Sequence, residues 1–170
     1  MYGAACFLND STYVSFLDED NSLDADHASS WLSAAEQAGL PEWGHSLRKV
    51  YDSAGRFLCL DLVDSLGTLA PSLQSQRPFV DTNNMFIRRD IAPLVAQHWY
   101  HTRTGADAAV SAALCAHHAG ICTKRFTVSY VAASSANSNG VDHFTRPTPL
   151  PALAELGRTA RVDTTPLGDD

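Results

Sequence analysis

Six residues between His98 and Cys122 are of types that bind transition metals: His98, His101, Cys115, His117, His118 and Cys122. Zinc accepts imidazole and thiolate at about 2.0 to 2.3 Å. One ion cannot hold all six. Two helices meeting near residues 103–104 would leave His101 and His117 separated by roughly 16 Å along the axis if antiparallel, and roughly 24 Å if continuous. A smaller set remains, Cys115, His118 and Cys122, spaced C-x2-H-x3-C. It could hold zinc with a fourth ligand from Cys6 or Cys59. The alternative is that Cys115 is a small buried hydrophobe and that His117 and His118 complement the negative end of their helix.

Acid–base chemistry has one patterned candidate. His27-Ala28-Ser29 and His143-Phe144-Thr145 are both H-x-[ST] tripeptides. The pair resembles the signature of the two-histidine phosphoesterases, which implies two imidazoles acting as acid and base across a phosphate. The resemblance covers six residues, and it requires both tripeptides on strands, whereas His27 opens an expected helix. Nucleophilic chemistry has no G-x-S-x-G elbow, and Cys59 lies beside Asp61 in mid-strand, where a thiol is inert. Asp52, Asp61, Asp64 and Asp81 could supply paired carboxylates, yet no spacing brings two of them together. No phosphate-cradling or dinucleotide glycine motif occurs among the ten glycines.

Charge narrows the partners. The chain has 170 residues and a net charge of −7, from 19 acidic and 12 basic side chains. Nucleic-acid binders carry a basic face, and here basic residues reach only the pairs Arg48-Lys49, Arg88-Arg89 and Lys124-Arg125. No run approaches the ~20 apolar residues that span a membrane. The N-terminus lacks the basic and apolar regions of an export signal, so a soluble intracellular protein with reduced thiols is expected. Four cysteines are too few for a disulfide scaffold.

The elements that would position these residues follow from periodicity and turn chemistry. Cys6–Leu8 and Thr12–Leu17 flank Asn9-Asp10-Ser11 and predict an N-terminal hairpin. Asp24 or Asp26 would cap a helix whose stripe is Ala28, Trp31, Leu32 and Ala35, stopped by Gly39 and Pro41. Leu47–Tyr51 and Arg56–Val63 bracket Asp52-Ser53-Ala54-Gly55, a second hairpin. Residues 66–84 read as loop. Asp90 would cap a helix with Ile91, Leu94, Val95, His98 and Trp99 on one face. Thr104 and Asp107 have capping-box spacing before a helix striped by Val110, Ala113, Leu114 and His117. Ile121–Val131 alternates as a strand. The expected fold is α+β, a mostly antiparallel sheet built from hairpins and covered by about three helices.

Residues 133–170 differ from the rest. They are rich in Ser, Asn and Pro, and proline removes backbone donors and favours extended chain. The expected organisation is a compact domain over 1–132 and an extended linker and arm over 133–170. Leu150, Leu153, Leu156 and Leu167 are the arm residues suited to apolar pockets. The leading expectation is a non-catalytic structural or interaction protein, a subunit in the manner of a capsid component, whose arm docks on a protein partner or sister subunit. The competing expectations are a small hydrolase, metal-dependent or histidine-based, and an acidic inhibitor that blocks a basic partner. No cofactor is implied beyond the zinc candidate.

Overall fold

The computed structural model describes residues 2–8, 10–69, 79–101, 105–132 and 139–144. Along the chain these form α1 (Tyr2–Leu8), β1 (Tyr13–Ser15), β2 (Ser22–Leu23), α2 (His27–Gln37), β3 (Trp43–Tyr51), β4 (Phe57–Leu60), a 3-10 turn at Thr82–Asn84, β5 (Met85–Arg88), α3 (Ala92–His101), α4 (Ala106–His117), β6 (Gly120–Val131) and α5 (Val141–Phe144). The architecture is α+β, with a six-stranded mixed sheet in the order β1-β5-β3-β6-β2 and β4 paired to β3. Four of the pairings are antiparallel, and β3–β6, the longest, is parallel.

β3 is the axis. All nine of its residues are buried, including Arg48 and Lys49. β6 covers one edge along its length, while the other edge is shared by β5 at Trp43–His45 and β4 at Lys49–Tyr51. The register against β6 shifts on both sides of Leu47. Such bulges re-aim side chains. Leu47 consequently packs on Leu62, Leu66 and Leu69 while its neighbour Arg48 reaches Asp61 and Asp64 in the same segment.

Alternation along β5 shows how the sheet is covered. Met85 and Ile87 join Trp43 under α1, α3 and α4, with Cys6, Ile91, Val95, Val110 and Leu114. Phe86, between them, packs on Trp31 and Ala35 of α2. Helices therefore lie on both faces. Gly44 is required on the α2 side, because a Cβ there would overlap the Trp31 ring.

Several expectations change. The N-terminal hairpin is instead a helix followed by a short edge strand. Tyr2, Gly3, Ala5 and Cys6 share a helical face against α3, and Ala4-Ala5 favours helix. The β3–β4 hairpin forms as read, with Asp52 accepting the Ala54 and Arg56 amides, but β3 begins at Trp43. In α2 the first helical turn has no side-chain cap: Asp24 is held by Lys49 and Asp26 by Arg125. Asp90 is gripped by Arg88 at 2.7 and 2.9 Å. The buried stripe of α3 runs through Ala92, Val95 and Ala96, leaving Leu94 exposed. Thr104 and residues 70–78 of the 66–84 stretch lie outside the described residues, as do 145–170 with all four arm leucines. Residues 141–144, assigned by sequence to the linker and arm, form α5 and pack on the sheet.

Candidate functional site

The most polar part of the interior is built on Arg48. Its side chain is 2% exposed. A guanidinium in the middle of a buried strand must be paired, because an uncompensated buried charge is destabilising. Two segments supply three carboxylates. Asp61, just past β4, accepts from Nε at 2.7 Å. Asp81, before the 3-10 turn, accepts from Nη1 at 2.6 Å. Asp64 lies 3.5 Å from Nη2. The Tyr130 ring of β6 lies 4.3 Å from the guanidinium carbon and the Phe144 ring of α5 lies 5.3 Å away, both in cation–π range.

The carboxylates are themselves oriented. Asp61 Oδ1 accepts the amides of Val63 and Asp64. Asp81 Oδ1 accepts the backbone and side-chain nitrogens of Asn83, whose amide also donates to Asp18 at 2.8 Å. His143 of α5 approaches Asp64 to 3.3 Å. Burial pulls the Arg48 pKa down, but Asp61, Asp81 and Asp64 together outweigh it, so the net shift is upward and the charge is locked on. Burial raises the Asp64 carboxyl, against the opposing pull of Arg48. Burial likewise raises Asp18 and Asp107. The arrangement is chemically a fixed cation among carboxylates, two of which, Asp61 and Asp81, are consumed in holding it.

The same strand handles a second polar group differently. His45 is fully buried. Its Nε2 accepts from the Thr68 amide at 3.0 Å, which leaves Nδ1 to donate to the Ser46 carbonyl. Burial lowers its pKa to about 4, so the ring is neutral. Gly67 holds a positive φ of 49° here, and a Cβ would come within 2.6 Å of the imidazole.

The residues singled out by type do not converge. Cys115 packs beside the α1–α3–α4 core, Cys122 sits in β6 opposite His45 and against the Leu47 cluster, and His118 faces Glu42 at 3.3 Å. Among the described residues no group of three or more His, Cys, Asp or Glu could hold a metal ion. Burial raises the pKa of all four thiols, Cys6 and Cys122 to about 11, so none is primed as a nucleophile. His27 is buried, bonded to Thr127 Oγ1 at 2.8 Å and stacked on Phe86. Thr127 alternates with Phe126 and Val128, so His27 lies on the α2 face. His143 lies on the opposite face, with Tyr130 and Phe144. The two H-x-[ST] imidazoles cannot meet across one phosphate.

Asp61, Asp64 and Asp81 do come together, contrary to the reading of their spacing, while Asp52 stays in its hairpin turn. The signal was Arg48 itself, a permanent cation in a buried strand that requires partners. No protein-family profile matches this chain, and no curated protein matches it.

Proposed function

We propose that this chain is a non-catalytic subunit of a larger protein assembly, joined to neighbouring copies through its C-terminal arm, residues 145–170. The observation that supports this reading is the outer surface of the α1–α3 pair. Phe7 and Leu8 of α1 are 62% and 85% exposed, and Leu94 and Tyr100 of α3 are 60% and 58% exposed. The two helices pack together, with Gly3 closely against Tyr100. Four of the eight large apolar side chains exposed among the described residues fall on this helix pair, and a contiguous exposed apolar patch marks an interaction surface. The occupant assigned to this surface is the arm of a sister copy, presenting Leu150, Leu153, Leu156 and Leu167. Each buried leucine contributes about 1.5–3 kcal/mol, and the prolines between them reduce the ordering cost. The interior polar groups fit this role because Arg48, Lys49 and His45 are engaged in holding the sheet.

The deletion of 145–170 tests the reading, since it removes the arm and keeps α5. Native mass spectrometry should give a multimer for the full chain and a folded monomer for the shortened one. Equal masses for the two proteins would reject the arm as the connector.

One contact favours a second reading, a histidine-based hydrolase. His143 and Asp64 are partly exposed, at 30% and 21%, and stand 3.3 Å apart beside a fixed cation. Hydrolysis of an activated phosphodiester that disappears in His143→Ala would support it. Absence of turnover in the unmodified protein would remove it. No described helix is long and apolar enough to cross a membrane.

A further inference from the structure

We propose that α5 is a releasable strap, a short segment that closes over the Arg48 cluster and can leave the sheet without unfolding it. This inference does not depend on the arm. α5 lies across three adjacent strands. The Phe144 carbonyl accepts from Cys59 Sγ of β4 at 3.7 Å, the Phe144 ring covers Arg48 and Val50 of β3, and the same ring meets Tyr130 of β6 edge-on at 5.5 Å. Just before the helix, the Asn139 amide donates to the Tyr130 hydroxyl at 3.1 Å.

The attachment is narrow. Phe144 is buried, and Val141 packs partly buried beside it. The His143–Asp64 contact is partly solvated, and a thiol donor at 3.7 Å makes a weak bond. What stays behind is complete without it. The hydrogen bonds and ion pairs of Arg48 run to Asp61, Asp64 and Asp81, and Tyr130 remains stacked on its guanidinium. Release therefore strands no buried charge, the usual large penalty for opening a polar interior. Local openings of this kind occupy the low end of a protein's stability range. Release uncovers the Tyr130 ring and further exposes the Asp64 carboxylate and the Cys59 thiol, both already partly exposed.

Cys59 gives the readout. The full chain is treated with a thiol reagent in 0–2 M urea, and labelling at Cys59 is followed by peptide mapping. A rate nearly independent of urea, raised at least about tenfold in Phe144→Ala, is the expected result. A urea dependence equal to that of global unfolding would overturn the strap, and so would a rate that Phe144→Ala leaves unchanged. If that variant fails to fold, hydrogen exchange on the unmodified chain decides. The amides of 141–144 should then exchange well before those of β3 and β6, and exchange together with them would refute the proposal.

Discussion

His45, near the start of β3, and Arg48, at its centre, solve the same problem in opposite ways. At His45 the protein buries a titratable group by keeping it neutral, with the Thr68 amide and the Ser46 carbonyl fixing one tautomer. Three residues later, at Arg48, the charge cannot be given up, and three carboxylates from two segments converge on it. Neutralisation uses uncharged backbone groups, the adjacent Ser46 carbonyl and the Thr68 amide of a distant loop, with Gly67 leaving room for the ring. Pairing recruits residues from 61 to 81 and so ties loops to the strand. The difference is between a group whose ordinary pKa lies near neutrality and one whose pKa lies far above it.

The largest effect should come from breaking the pairing. Arg48→Ala leaves the Asp61, Asp64 and Asp81 carboxylates without their cation and should cost about 3–5 kcal/mol in urea denaturation. A loss below about 1 kcal/mol would mean that water already screens the cluster.

The His45 side is sharpened by pH. A base whose folded pKa is depressed binds fewer protons folded than unfolded, so stability falls as pH drops from about 6.5 toward about 4. A shift of that size corresponds to about 3 kcal/mol. Burial lowers His27 in the same direction. The raised carboxylates Asp18, Asp64 and Asp107 act with the opposite sign, so they cannot produce this loss. Denaturation midpoints measured between pH 7 and 4 should decline, and His45→Gln should flatten much of the slope.

Smaller effects separate packing from charge. Gly44→Ala drives a methyl into the Trp31 ring and should cost about 1–3 kcal/mol by thermal melting. Asp64→Asn should stay within about 1 kcal/mol of the unmodified protein. Burial already penalises the charged form of Asp64, and Asp61 and Asp81 hold Arg48 at closer range.

What the sequence revealed divides between local and distant contacts. Elements set by nearby residues were legible: the Asp52 hairpin, the helix stopped by Gly39, the helices near 92–101 and 106–117, and the alternating β6. The α+β class follows from them. β5 and β2 were missed because four and two residues carry too little periodicity. α1 was missed because Cys6-Phe7-Leu8 reads as strand when its packing against α3 is unknown. The parallel pairing of β3 with β6 joins residues such as Trp43 and Gly120, far apart in sequence, and no local pattern encodes it. The Arg48 cluster was hidden for the same reason, since residues 48, 61, 64, 81 and 143 meet only in the finished fold. Residue type alone pointed instead to Cys115, His118 and Cys122, which the helix and strand directions send to three different surroundings.

The functional account rests on the exposed α1–α3 surface, and a surface can be altered without touching either His45 or Arg48. The most direct measurement is sedimentation velocity on a Phe7→Asp, Leu94→Asp double variant beside the unmodified chain, with thermal melts of both. The account predicts that the variant sediments as a monomer while its melting temperature stays within a few degrees, because both side chains are already solvent-exposed. An unchanged assembly at equal concentration would contradict it.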